Sequence, residues 1–180
     1  QSDATERLLQ LEKQNLFLIP LDQERQWYRF HHLFADVLFA RLQMSGQDIA
    51  TIHQRAAIWF WQRESMADAM HHALQAGKPE QAAQWLELRW PEMRSSEPET
   101  VFLQWAKQLP DECIAKSPVL CGHLGLTWLS QDIPAALNWL ERTEKWLQKT
   151  PEQVAAAGGV IHNRDAWQQL PGLLSIAKAY

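Results

Sequence analysis

The sequence predicts a mainly α chain in which a small β-hairpin follows the first helix and helical hairpins make up the rest. Three observations lead there. Residues 15–42, NLFLIPLDQERQWYRFHHLFADVLFARL, hold the one place where strand chemistry interrupts helices. Elsewhere apolar residues recur three and four apart, with Pro near the expected helix starts and Gly near the expected ends. Two stretches, ALQAGKPEQAAQWLE (73–87) and TWLSQDIPAALNWLE (127–141), align without a gap at an offset of 54.

The N-terminal elements follow from local chemistry. ERLLQLEKQ reads as a short helix with Leu8 and Leu11 on one face, and Asp3 and Glu6 stand three apart as a start signal. Asn15 sits at the expected stop, because Asn tolerates the left-handed backbone found there. FLIPL is a short apolar run suited to a strand, DQERQ is a polar turn and WYRF is a second strand, which together make a hairpin. HHLFADVLFARL then places Leu33, Phe34, Val37, Leu38 and Leu42 on one helical face. Helix, hairpin, helix is the back half of a winged helix. A hairpin alone is marginal and needs helices beneath it.

A second region starts near Gln47. Asp48 caps a helix whose expected inner face is Ile49, Ile52, Ala56, Trp59 and Phe60. Ser65 and Asp68 open the next helix in capping-box spacing, and it runs through Ala69, Met70, Ala73 and Leu74. Gly77 ends it. Pro79 begins another, which carries Ala82, Ala83, Leu86 and Trp90 and is closed by Pro91. Residues 95–98 read as a loop, Val101 to Leu109 as a helix, and Pro110 as its stop. Ser117-Pro118 starts a helix through Leu129. After a tight connection at 132–134, Ala135 to Gln148 is helical again. Thr150 to Gln153 is a further helix start, interrupted by Gly158-Gly159, and LLSIAKAY reads as a terminal helix.

The repeat gives the architecture of this region. Both copies read helix, short polar turn, then Ala early in the next helix and Trp-Leu-Glu at its middle. A small Ala lets two antiparallel helices approach closely. Such hairpins stack into α-solenoids, since none alone buries its apolar face. The pattern resembles tetratricopeptide hairpins and is TPR-like, although an offset of 54 exceeds the ~34 residues of that repeat. Residues 1–45 are therefore assigned to a winged-helix portion and residues 46–180 to a TPR-like helical-repeat region. No charged or low-complexity linker separates them, and the two are expected to be packed together or joined by a short bend near Ser45-Gly46.

Composition narrows the function. A formal net charge of −4 and a pI near 6.0 argue against a nucleic-acid surface, which shows a basic patch. Glu6, Glu12, Asp22 and Glu24 bracket the recognition-helix and wing positions and would repel DNA phosphates. No apolar run approaches the ~20 residues of a membrane span. The polar N-terminus is not a signal peptide and lacks an initiator Met, as expected of an internal fragment. Cys113 and Cys121 match neither a metal spacing nor a disulfide framework and read as reduced core thiols in a cytoplasmic protein. Most of the ten tryptophans fall on expected inner helix faces and read as core. No phosphate-binding, dinucleotide, metalloprotease or nucleophile-elbow motif occurs, so this segment is not expected to be an enzyme. His71 and His72 diverge by about a hundred degrees, too far for one metal, and His53, His123 and His162 have no partner at ligand spacing.

Residues LEKQNLFLIPLDQERQWYRFHHLFADVLFARL resemble the winged-helix end of the nucleotide module of MalT-like regulators, the ATP-dependent LuxR-type transcription activators of the signal-transducing ATPase (STAND) class. In that family an Asn-Leu-Phe strand, an acidic turn and a Tyr-Arg-Phe/Tyr-His-His-Leu-Phe run appear in this order. The following HQRAAIWFWQRESMADAMHHALQAGKPEQAAQWLE is similar to the family's transition into its helical-repeat sensor. The resemblance implies a regulatory fragment of an ATP-dependent activator. Its winged helix would sense bound nucleotide, and its helices would receive an inducer or regulatory protein. It implies partnership with the protein's own nucleotide-binding domain, ATP or ADP in the parent protein but no cofactor in this segment, and DNA contact only through a domain elsewhere. It also implies that His31 or His32 reaches the ADP phosphate, without saying which. From the residues alone, one imidazole could instead cap the helix or satisfy a buried carbonyl. Arg29 could add a phosphate or carboxylate contact, though a solvated strand residue fits it better. The other readings are a free-standing helical-repeat adaptor and an accessory module of a bacterial enzyme.

Overall fold

The computed structural model describes residues 2–14, 17–96 and 99–177. Among them are eleven helices and one two-stranded antiparallel sheet. The chain divides into two compact units, Gln1–Ile49 and Ala50–Tyr180.

In the first unit, α1 (Ser2–Lys13), β1 (Leu18–Pro20), β2 (Tyr28–Phe30) and α2 (His32–Met44) give the helix, hairpin and helix of a partial winged helix. The strands pair Leu18 with Phe30, Ile19 with Arg29 and Pro20 with Tyr28. The turn is made by Asp22, whose carboxylate accepts the backbone N–H groups of Gln26 (3.0 Å) and Trp27 (3.0 Å), an Asx-type closure. Arg25 takes a positive φ of 53° there and reaches back to Glu12 of α1 at 3.3 Å. Helix α1 already runs from Ser2, so it starts ahead of the Asp3 signal. Asn15, the expected stop, lies outside the described residues.

The expected face of α2 is only half covered. Phe34, Leu38 and Leu42 are partly buried, but Leu33 and Val37 are 64% and 63% exposed. No described residue of this unit is buried. The unit is too small to enclose a core from its own elements. At its end the Ser45 hydroxyl donates to the Leu42 carbonyl (2.7 Å), and Gly46 turns the chain at φ 68°, where the bend was expected.

The second unit consists of antiparallel helical hairpins. Its first helix, α3 (Ile49–Gln62), is rotated from the expected face: Ile52 and Trp59 are exposed, and Ala57 is fully buried. The reason is the packing of the next side chains round. Trp61 stacks on Trp85 at 5.1 Å, and Phe60 stacks on His72 at 5.3 Å. Trp59 faces outward under the Arg63 guanidinium, 4.0 Å from its ring. Helix α4 (Met66–Gln75) buries Met66, Ala69, Met70 and Ala73. Its Ser65 does not cap it. The hydroxyl donates instead to Asp68 Oδ2 at 2.7 Å, so the capping-box spacing yields a side-chain pair. Gly77, at φ 66°, ends α4 with the paired Gly77→Leu74 and Lys78→Ala73 backbone bonds (both 2.9 Å) of a Schellman turn.

Helix α5 (Pro79–Ser96) runs through Pro91 instead of stopping there. Pro91 forfeits one hydrogen bond, but Trp90 and Met93 on either side are both buried, and continuing the helix keeps them so. Beyond it, α6 (Glu99–Ala106) is followed by a short helix the sequence reading lacked, α7 (Asp111–Lys116), for which Pro110 is the N-cap. Helix α8 (Pro118–Trp128) starts as expected: Ser117 Oγ accepts the Leu120 N–H at 3.0 Å. Asp132 likewise caps α9 (Ile133–Leu147). Helices α8 and α9 pack closely because Gly125 has no Cβ. One there would lie 2.8 Å from the Leu140 side chain and 3.2 Å from the Ala136 carbonyl. Thr150 and Gln153 form the full capping box of α10 (Pro151–Ala156). Helix α11 (Arg164–Ala177) begins well before the expected LLSIAKAY and continues past Pro171, because Leu170 and Leu174 are buried on both sides of it.

The 54-residue repeat is present as the α4–α5 and α8–α9 hairpins. Equivalent positions are equally buried: Ala82 and Ala136, Trp85 and Trp139, Leu86 and Leu140. Most tryptophans serve the interior. Three are buried and five half-buried, while Trp27 and Trp59 are exposed. Cations from the same chain lie over the rings of Trp59, Trp128, Trp139 and Trp146, which leaves less open ring for a ligand.

Candidate functional site

His31 and His32 stand at the junction of β2 and α2. Phe17, at a positive φ of 55°, offers its carbonyl to the His31 N–H at 2.7 Å, which fixes the chain as it leaves the hairpin. His31 is the N-cap residue, but its side chain makes no capping bond. The capping reading is therefore corrected: the backbone is extended there (φ −55°, ψ 136°), and the half-buried ring lies 6.4 Å from Phe17 and 4.3 Å from His32. His32, the first residue of α2, is exposed. The two imidazoles thus sit together at the positive end of a 13-residue helix, a setting that favours an anion. Arg29 is exposed on β2 opposite Ile19.

In the helical unit, a buried carboxylate organises the chain. Glu87 is fully buried on α5. Its Oε1 accepts the backbone N–H groups of His162 (2.7 Å) and Asn163 (2.8 Å), and its Oε2 accepts the Ser117 hydroxyl (2.8 Å). One side chain therefore ties α5 to the starts of both α8 and α11. Burial pushes the Glu87 carboxyl above its usual value, against the three hydrogen bonds that pull it down. Nearby bonds complete the node: Val160 N–H to the Lys116 carbonyl (2.8 Å) and Trp146 Nε1–H to the Ala115 carbonyl (3.0 Å). Beside Glu87 opens a cleft of about 350 Å³ lined by the amides of Gln54, Gln81 and Gln84 and by Lys78 and Lys116. The side-chain amide oxygen of Gln81 is buried with no hydrogen-bond partner among the described residues. Such a lining suits a ligand with both donors and acceptors.

A third cluster joins α3 to α4. His53 Nδ1 and His72 Nδ1 are 2.8 Å apart, so His53 has a hydrogen-bond partner although it has none at metal-ligand spacing. Nineteen residues of separation match no spacing rule, and this pair was not legible in advance. Glu87 was missed for another reason. It ends the Trp-Leu-Glu motif whose second copy places Glu141 in solvent. Among the described residues no cluster of three or more ligand-type side chains could hold a metal, and no helix is long and apolar enough to cross a membrane. Burial pushes the Cys121 thiol up to about 12.

Residues 1–50 match the model of the MalT winged helix domain family. The serine/threonine-protein kinase PknK of Mycobacterium tuberculosis is 32% identical over 141 residues, which is 74% of this chain and 12% of the kinase. The HTH-type transcriptional regulator MalT of Cronobacter sakazakii is 33% identical over 127 residues, 69% of this chain and 14% of that protein. MalT of Vibrio parahaemolyticus is 35% identical over 77 residues, 41% of this chain and 8% of the regulator. The chain thus spans about an eighth of the length of the kinase and little more of the first regulator. No solved structure matches it. The described helix, hairpin and helix fall within the matched residues, so residues 1–50 carry a MalT winged helix domain.

Proposed function

We propose that this chain is a regulatory segment of an ATP-dependent transcriptional regulator of the MalT-like, LuxR-type, STAND class. In this reading the winged helix senses bound nucleotide, and the helical hairpins receive an inducer or a regulatory protein. The observation that carries it is the MalT winged helix match over residues 1–50. His31 or His32 contacts the phosphate of ADP held by the neighbouring nucleotide-binding domain. Their shared position at the start of α2 supports this, since the helix terminus and an imidazole both favour an anion. The apolar side chains that the N-terminal unit leaves exposed, among them Phe17, Leu33, Val37 and Phe39, supply a surface for that domain.

The proposed mechanism is a two-state switch in the cytoplasm. The winged helix holds the resting, ADP-bound form. An effector on the helical unit, for which the cleft beside Glu87 offers a site, favours an open, ATP-bound, self-associating form. A coupling of about 1–3 kcal/mol suffices. DNA is contacted by a domain elsewhere in the protein. The test is ADP retention by the full-length regulator carrying His31→Ala or His32→Ala. Loss of retention in one variant is expected and identifies the contacting residue. Unchanged retention in both, and in the double variant, would refute the phosphate role.

A second reading follows from the similarity to PknK, which extends over 74% of the chain and so beyond the winged helix. The same segment then serves as an interaction module attached to an enzyme. The flanking reading frame separates the two. A P-loop upstream and a helix-turn-helix downstream favour the regulator, and a kinase domain favours the module. A short frame with neither would leave a free-standing helical-repeat adaptor.

A further inference from the structure

Helix α3 carries the chain out of the N-terminal unit, whose boundary falls in the helix's first turn, and onto the first helical hairpin. Part of what holds it there is the His53–His72 contact. The two Nδ1 atoms are 2.8 Å apart, a hydrogen-bond distance. One ring must donate from Nδ1 and the other must accept at Nδ1. His72 is further fixed by stacking on Phe60, nearly parallel at 8°. The α3–α4 turn is itself strained, since Glu64 sits at a positive φ of 60°.

We propose that the His53–His72 pair is an acid-sensitive latch that closes α3 onto α4 when at most one of the two rings is protonated and releases it when both are. The proton count decides this. With both rings neutral, Nδ1–H of one donates to the lone pair of the other. One added proton leaves an acceptor and strengthens the bond through its charge. A second leaves an N–H on both facing atoms and a positive charge on each ring, with no acceptor between them. The bond is lost and the rings repel.

The surroundings set the direction. The groups acting on His72 are His53 from α3 and His71 and Asp68 from α4. Burial first, then the two neighbouring imidazoles, hold His72 below its ordinary value of 6.5, and only the Asp68 carboxylate opposes them. The unfolded chain therefore takes up the proton first as pH falls. The latch's contribution is complete above 6.5 and is lost as pH drops below it towards the folded value of His72. The device is independent of any role in nucleotide or effector binding.

Hydrogen exchange of the intact chain tests it, read over α3 at pH 7.5 and at pH 5.5 after correction for intrinsic rates. In the wild type, α3 protection should fall with acid by up to about tenfold per pH unit within the window, the limit for one linked proton. In His72→Gln this acid-dependent loss should vanish, and in His53→Gln it should shrink to what the burial of His72 and its neighbour His71 leave. A wild type whose α3 protection is insensitive to pH, or variants that keep its full pH dependence, would overturn the latch. Should the variants fail to fold, an imidazole NMR titration of the wild type decides. Two coupled steps, one below 6.5, are expected, and two independent ordinary titrations would refute the proposal.

Discussion

Replacing Glu87 gives the sharpest test of how the helical unit is held together. In Glu87→Ala three donors lose their acceptor: the His162 and Asn163 backbone N–H groups and the Ser117 hydroxyl. A stranded buried donor costs about 1–3 kcal/mol. His162 and Asn163 are only half-buried, so water can reach them, and the lower end applies to each. That gives about 3 kcal/mol for the three. The one buried methylene lost, Cγ, adds about 0.8 kcal/mol. Removing a carboxylate whose burial already works against its charge returns part of this, and the expected net loss is about 3 kcal/mol. Glu87→Gln keeps an oxygen for both backbone donors and the same volume, so about 1 kcal/mol is expected.

The assay is urea denaturation followed by tryptophan fluorescence, since Trp85 and Trp90 flank Glu87 on the same buried helix. An Ala variant costing under about 1 kcal/mol, or a Gln variant as costly as Ala, would refute the three-bond account. The pH dependence gives an independent check. Burial raises the Glu87 carboxyl above 4.5, so the folded chain holds that proton more tightly than the unfolded chain does. Relative to Glu87→Gln, the wild type should therefore gain stability as pH falls through the folded value towards 4.5.

Other perturbations probe separate parts of the fold. Gly125→Ala places a Cβ against Leu140 and the Ala136 carbonyl, and the loss expected in thermal denaturation is about 1–3 kcal/mol. Gly77→Ala meets no atom within 4 Å but must hold φ at 66°, so only the backbone cost of about 1 kcal/mol should appear in the same measurement. Cys113 and Cys121 are both buried, and burial raises both thiols, so neither should react with a thiol-specific reagent in the native chain and both should react in urea. Labelling of Cys121 at the rate of an unfolded control would contradict its burial.

Where one residue's chemistry decides the structure, that structure was legible. Ser117 with Pro118 and Thr150 with Gln153 mark helix starts in the sequence and cap them in the fold, while Asp132, read only as part of a tight connection, caps α9. Gly77 marks a stop and takes the left-handed backbone that makes one. Where a long-range contact competes with a local rule, the local rule lost. Pro91 reads as a breaker, and Pro171 lies just ahead of the expected last helix, yet a helix runs through each, because apolar side chains on both sides of each proline are buried. The face of α3 was misread by about one residue because Ile52 and Trp59 have the right spacing, while Phe60 and Trp61 have the partners. His31 and His32 were legible as a pair at a helix start, and their placement matches that. The Glu87 node and the His53–His72 contact were not, since each joins segments that no local pattern relates.

The two copies of the repeat show why such sites escape a motif. Ala, Trp and Leu occupy matching positions in the α4–α5 and α8–α9 hairpins and are buried in both, because every hairpin of this kind must close its own helix pair. The third residue of Trp-Leu-Glu answers to what lies over the hairpin. Above Glu87 the chain brings the 162–163 backbone and Ser117, and the carboxylate is buried as their acceptor. Glu141 is exposed. A repeat therefore conserves the residues that make the hairpin and leaves open the one that joins it to the next layer. The cleft beside Glu87 lies at such a join. Its lining is drawn from α3, α5, α7 and the segment before α11, so its shape depends on how those elements are held. An effector seated there would act on the contacts Glu87 maintains, and a change in that node would reach the starts of α8 and α11 together.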